Sequence, residues 1–299
     1  MLRKKFMKNV SKINLNETKE SRLRELLLTV QNCCLELGID FYIIGALARD
    51  IWFTKEGVSA LGTKDVDFAV LISNVEQFYR LKGRLIKMHG FEKVSTNEFV
   101  LIGPNKMQID ILPFGQLEVN DGVTVQGEGL NRIKVNGFKE VYLASVENVY
   151  VLADKQFKEA TLPGIFLLKI IAFDDRPEQR PNDPEDCISI ILNYFNLQSD
   201  LIYNHHNDLF GNDGFAFELI SARVIGREMK KSLDHNDALR DRAANILKDH
   251  IARGEKSSFI LRMASFVYLG TEDCVRYLQE VLSGITEEAN LQKDGGENA

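Results

Sequence analysis

No stretch of the sequence holds the roughly 18 consecutive apolar residues that a membrane-spanning helix needs. The N-terminus, MLRKKFMKNVSK, is basic but runs into polar residues rather than an apolar core, so it does not read as a secretory signal. Neither membrane insertion nor export is expected, and a cytoplasmic location is. Cysteine is sparse. Cys33, Cys34, Cys187 and Cys274 form no C-x-x-C pair, and the first two fall within a helical pattern, which excludes a paired-cysteine zinc site and a disulfide framework. Positive charge is also in deficit, with 37 Lys+Arg against 43 Asp+Glu and a formal net charge of −6. A broad nucleic-acid footprint requires clustered cations. The two basic clusters, Arg3 to Lys12 and Arg227 to Lys231, read as a frayed tail and a solvated helix face in preference to local phosphate contacts. Internal repeats are absent.

What is present is enough for two domains: 299 residues, 44% apolar and 27% charged. Leu23, Leu26, Val30, Cys33 and Leu37 follow helical spacing and predict a helix over Asn16 to Leu37, stopped at Gly38. A buried strand follows at Phe41 to Ile44, a short helix at Ala46 to Phe53, a loop at Thr54 to Thr63, a strand at Lys64 to Ile72 and a helix at Val75 to His89 closed by Gly90. The period then changes to two. Strands are expected at Phe91 to Val94, Glu98 to Ile102 and Met107 to Leu112, the last pair joined by the turn Gly103-Pro104-Asn105-Lys106. Glycine-rich Gln116 to Val135 reads as another hairpin or a loose loop, and Glu140 to Leu143 as a short strand before a helix capped by Ser145. From there helices alone are expected: Val146 to Lys155, Leu162 to Asp174, Pro184 to Phe195, Phe215 to Leu233, Asp237 to Arg253, Ser257 to Leu269 and Glu272 to Leu282, the last two capped by Ser257 or Ser258 and by Thr271. The reading is an α/β (α+β) core over 1–145, a mixed sheet flanked by helices, then an all-helical domain over 146–286 and a disordered polar tail over 287–299.

The chemistry gathers between Phe41 and Val70. Asp65 and Asp67 are one residue apart in a strand, so they share a face with Cα atoms about 6.5 Å apart, while Val66, Phe68 and Val70 face the core. Asp110 sits on a neighbouring predicted strand, beside Gln108 and opposite Ile109 and Ile111. Three carboxylates make an oxygen-only ligand set suited to Mg²⁺, with Mn²⁺ as the alternative ion. Gly45, at a strand-to-helix junction, lets backbone N–H groups approach an anion. A metal beside a phosphate cradle is the equipment of phosphoryl or nucleotidyl transfer. An isolated D-x-D is weak evidence, and Gly45 and Asp110 are what strengthen it.

The series Gly45, Thr63, Asp65, Asp67, Asp110, in the pattern G-x(n)-[ST]-x-D-x-D followed by a third acid, resembles the DNA polymerase β-like nucleotidyltransferase superfamily. The resemblance implies Mg²⁺-dependent transfer of a nucleoside monophosphate from an NTP to an acceptor, with Asp65, Asp67 and Asp110 as metal ligands and Asp110 helping to activate the acceptor hydroxyl. Ala46 departs from the family, which has a second Gly or a Ser there; its backbone N–H remains but a hydroxyl contact to phosphate is lost. A second segment, Lys169, Ala172 and Arg176 followed by Arg180, Asp183 and Asp186, is similar to the K-x-x-A-x-x-x-R…D-x-x-D region of AbiEii-type nucleotidyltransferase toxins. That likeness implies a triphosphate contact from Lys169, a second catalytic role for it, and nucleotide contacts from Arg176 and Asp186. Lys169 and Arg176 are seven apart, two helical turns, so both are expected on one helix face within reach of the triphosphate. The implied acceptor is tRNA, a protein hydroxyl or a small molecule, and the implied partner a cognate antitoxin. Arg49 and Asp50 are in register with the G-G-x-x-R-D of CCA-adding enzymes, but R-R-D-F-T-x-N-A and L-R-x-x-R-F segments are missing. The acidic net charge also suits a cationic small substrate, as in aminoglycoside nucleotidyltransferases, and a catalytically silent binding module is the alternative that Ala46 favours. Asp183 and Pro184 equally fit the start of a helix whose dipole favours Asp186, and His205, His206 and Asp208 read as solvated loop residues.

Overall fold

The computed structural model describes residues 17–55, 65–144, 146–152, 155–211 and 216–287. Thr63, Ser145, the basic segment Arg3 to Lys12 and the tail beyond Glu287 lie outside them. The first half alternates helix and strand as far as α3 and then runs through five consecutive strands: α1 Glu17–Glu36, β1 Asp40–Ile44, α2 Gly45–Lys55, β2 Asp65–Ile72, α3 Val75–His89, β3 Glu92–Val94, β4 Asn97–Ile102, β5 Gln108–Gly115, β6 Gly122–Thr124, β7 Arg132–Lys134 and α4 Phe138–Ala144. Then come β8 Val146–Leu152, β9 Lys155–Ala160, α5 Leu162–Asp175, α6 Asp183–Leu197, α7 Ser199–His205, α8 Phe217–Leu233, α9 Asp237–Arg253, α10 Ser258–Val267 and α11 Thr271–Thr286.

Seven strands form one mixed sheet in the order β3-β4-β5-β2-β1-β9-β8, and β6-β7 pair separately. β2 runs antiparallel to β1 and parallel to β5. Because paired residues share a side of the sheet, its two faces follow from register. Phe41 and Phe68 meet edge to face at 5.7 Å on the side that Val66 and Val70 also fill, all four buried. On this side α1 packs on α3, and Phe78 of α3 meets Phe99 of β4. Tyr42 and Phe114 meet at 5.8 Å on the other side, which is also the side of Asp67 and Asp110. The α/β class with a helical C-terminal region is as the sequence indicates.

Two elements differ in type. Glu140 to Leu143 is part of helix α4, not a strand: Phe138 and Tyr142, one turn apart, both pack on Phe114 and give that segment a helical reason to exist. Val146 to Lys155 is not a helix but the β8–β9 hairpin. β9 occupies the edge of β1, with Ile43 opposite Glu159, and β8 pairs with β9. An unpaired edge beside a central strand is a strong demand that local helical spacing does not register. The sheet therefore draws on residues up to Ala160.

Smaller differences sit at helix ends. α5 stops at Asp175, so Arg176 is its C-cap with φ −152° and does not share a helix face with Lys169. Asp183 is the first residue of α6 after Asn182, and its carboxylate bonds Lys169 rather than capping the helix. Ser257 caps α10 as expected, whereas α11 starts after Gly270 with Thr271 already helical. α7 is a short helix that the sequence pattern does not mark. α8 and α11 cross at two glycines: a Cβ on Gly226 would overlap the Val281 carbonyl and lie 3.0 Å from Gly284 Cα. His206 is 4% exposed, its Nε2 2.9 Å from Glu228, and Asp208 binds Arg227 at 2.8 and 2.7 Å, so neither they nor the Arg227 face is simply solvated.

Candidate functional site

β2 enters the sheet at Asp65, and its register with β5 sets Asp65 opposite Gln108 and Asp67 opposite Asp110. Asp67 and Asp110 are thus immediate neighbours on one face of adjacent strands, about 4.8 Å apart in backbone terms, with Asp65 two residues upstream. The core-facing partners Val66, Phe68, Ile109 and Ile111 are at most 1% exposed and hold both strands in this register. All three carboxylates are half-buried. Gln108 Nε2 donates to Asp110 Oδ1 at 2.8 Å.

Charge of one sign accumulates here. Burial first, then Asp110 and Asp65, pushes Asp67 up to about 7, opposed by the positive charges of Arg180 and Lys169. Burial likewise raises Asp110, with Asp65 adding to it and the Gln108 hydrogen bond and Arg180 holding it back. On the third side stands Gly45, the residue after β1 and the first of α2, at φ +72°. A Cβ there would overlap Asp67 Oδ2 and lie 3.0 Å from its Cγ. Glycine is therefore required twice, for its backbone conformation and because the Asp67 carboxylate lies directly against it. Ala46 follows within the first turn of α2, so the positive end of that helix faces the carboxylates.

The predicted basic residues divide into two groups. Arg49, Asp50, Lys169, Asp183 and Asp186 are all at most 9% exposed and form one ion network joining α2, α5 and α6. Arg49 binds Asp186 and, at 2.5 Å, Asp50; Lys169 binds Asp183 at 2.9 Å and Asp186 at 2.5 Å. Lys169 lies close enough to Asp67 to influence its titration, but its hydrogen bonds go to the two aspartates of α6. Arg176 and Arg180 form the second group, half-buried on the segment between α5 and α6. Burial, then the neighbouring Arg180 charge, lowers the Arg176 pKa. Arg180 is the cation that acts on both Asp67 and Asp110. The sequence pattern gives Arg180 no separate role. Its position four residues beyond Arg176 and three before Asp183 is the only signal it carries.

Among the described residues no three His, Cys, Asp or Glu side chains are drawn in tightly enough to enclose a metal as they stand. The donor chemistry nonetheless fits a hard divalent cation: three carboxylate side chains on neighbouring strands, two of them with raised pKa values in which mutual repulsion has a part. Asp65, Asp67 and Asp110 are the residues that would hold it. The structure brings Gly45, Ala46, Asp65, Asp67, Asp110 and Arg180 to one place, sets Lys169, Arg49 and Asp186 beside it as a paired network, and leaves Thr63 outside the described residues.

Among the described residues no helix is long and apolar enough to cross a membrane. No protein-family model matches the chain, and no curated protein matches it in sequence. Among solved structures it is similar to an antigenic nucleotidyltransferase-like protein from Paracoccidioides brasiliensis, at 15% identity over 64% of this chain and 91% of that one with a TM-score of 0.39. It is also similar to the antibiotic-resistance factor ANT(2'')-Ia, at 14% identity over 79% of this chain and 98% of that one with a TM-score of 0.37.

Proposed function

We propose that the chain is a nucleotidyltransferase that moves a nucleoside monophosphate from an NTP to an acceptor hydroxyl with release of pyrophosphate. The observation that carries this is the register of Asp67 against Asp110, with Asp65 on the same face and Gly45 pressed against the Asp67 carboxylate. Mg²⁺ held by the three aspartates would neutralise phosphate charge in an in-line displacement. The raised pKa of Asp110 makes it a stronger base than an ordinary carboxylate and suits it to take the proton from an acceptor hydroxyl. Arg180 and Arg176 supply fixed positive charge next to the carboxylates for the triphosphate, and the first N–H groups of α2 at Gly45 and Ala46 offer donors to it. Lys169, Arg49 and Asp186 act from behind by fixing α5 and α6 against α2.

The narrower AbiEii-like reading, with tRNA or protein as acceptor and an antitoxin as partner, has one support. Its Lys169, Asp183 and Asp186 meet in a single network. Incubating the protein with each α-³²P-labelled NTP, MgCl₂ or MnCl₂, and fractionated cell extract tests both levels. Label in RNA, protein or small-molecule fractions identifies the acceptor class. Asp67→Asn is expected to reduce transfer at least about 100-fold. If folded wild-type protein transfers no label from any NTP with either ion, the nucleotidyltransferase proposal fails and a binding role replaces it.

A further inference from the structure

A cavity of about 300 Å³ is bounded by α2, the end of α4, the start of β8, the start of α5, α6, α7 and α8. Trp52 and Tyr194 form aromatic walls, and Glu147, Gln198 and Glu228 supply polar groups. Trp52 is seven residues along α2 from Gly45, so about 10 Å of helix separates this cavity from the aspartates.

Three features give it a preference for positive charge. First, the last turn of α2, the end of α4 at Ala144 and the C-cap of α6 at Gln198 all border it, presenting the carbonyl ends of three helices. The starts of α5 and α7 oppose them; the α5 N-cap Thr161 already accepts from Gly164 N, while the short α7 follows Gln198 without a side-chain cap. Second, both Glu147 and Glu228 act electrostatically on the Tyr194 hydroxyl. Glu228 is balanced by His206 at 2.9 Å and Lys231 at 2.6 Å, whereas Glu147 is exposed and makes no ion pair among the described residues. Third, Tyr194 is 1% exposed and lines the cavity, so its hydroxyl is a polar atom in an aromatic wall beside the two carboxylates that act on it. The Trp52 ring is held in place by its Nε1 donating to the Ala160 carbonyl at 2.9 Å.

We propose that this cavity binds a small organic ammonium compound, its nitrogen held by the Glu147 carboxylate and the Tyr194 hydroxyl and its carbon chain against the Trp52 ring. Aromatic faces and a carboxylate around a partly enclosed space are the chemistry that selects such a cation over a neutral isostere. The site is independent of nucleotidyl transfer.

The protein holds a single tryptophan, so Trp52 fluorescence reads this cavity directly. Wild-type protein is titrated with 1,6-diaminohexane and, in parallel, with the uncharged 1,6-hexanediol. The diamine is expected to shift the emission saturably and the diol to leave it unchanged. Glu147→Gln, at an exposed position that does not endanger folding, is expected to weaken diamine binding about tenfold, and Tyr194→Phe about threefold or more. No saturable shift with the diamine, an equal shift with the diol, or unchanged affinity in Glu147→Gln overturns the proposal.

Discussion

Replacing Asp67 by Asn should stabilise the metal-free protein at alkaline pH and leave it unchanged in acid. In the folded state burial and the neighbouring Asp110 and Asp65 hold Asp67 at about 7, against an ordinary value of 3.8. The folded chain therefore binds more protons than the unfolded one between these values, and stability falls as pH rises from about 4 to about 7, then stays low. At roughly 1.36 kcal/mol per tenfold change in proton affinity, the ceiling is about 4 kcal/mol. Asp67 is half-buried and keeps some access to water, which reduces the expected loss to about 2 kcal/mol. Asparagine keeps the shape without the charge, so the variant lacks this loss. Urea unfolding of wild type and Asp67→Asn in EDTA at pH 4, 6 and 8 is the assay. The difference should be near zero at pH 4 and grow to about 2 kcal/mol in favour of the variant at pH 8. Millimolar Mg²⁺ should then narrow it by stabilising wild type alone. A pH-independent difference, or a variant less stable than wild type at pH 8, would refute the account of Asp67 as a carboxylate held up by burial and its acidic neighbours.

Three further substitutions follow from other contacts. Arg180→Ala removes the positive charge that opposes the rise in both Asp67 and Asp110, so an NMR titration of the Asp67 carboxyl carbon should find its pKa above the wild-type value; an unchanged value would mean Arg180 does not face the site. Asp186→Ala removes the acid shared by Arg49 and Lys169, leaving each buried cation with one carboxylate, Asp50 and Asp183 respectively, and should cost about 3 kcal/mol in urea unfolding. A loss below about 1 kcal/mol would show that the network is not a tie between α2, α5 and α6. Gly226→Ala drives a methyl group into the Val281 carbonyl, so α8 and α11 must separate, for a loss of about 2 kcal/mol measured the same way; a neutral result would contradict their close crossing.

Where a residue's surroundings are its own neighbours in the chain, the sequence was enough. Asp65 and Asp67 share a face because a strand has period two, and α3, with its apolar stripe and Gly90 stop, was legible to the residue. The mistaken segments are those whose structure is decided from outside. Val146 to Leu152 has helix-compatible spacing but pairs as a strand because β9 takes the open edge of β1. Helix α4 exists because Phe138 and Tyr142 find Phe114. Lys169 and Arg176 looked equivalent at two turns' spacing; α5 ends between them, and one joins Asp183 and Asp186 while the other turns out beside Arg180.

The sequence by itself determined the residue types of the site and their local geometry: the D-x-D strand, the glycine at a strand-to-helix junction, the third acid on a later strand. Tertiary structure decided what these do to one another. That Asp110 lies in register with Asp67, that Gly45 has no room for a side chain, and that Arg180 rather than Lys169 is the freer cation beside the carboxylates all depend on pairing between segments distant in the chain. Such pairing is set by edges, registers and buried charge balance, which no local pattern encodes.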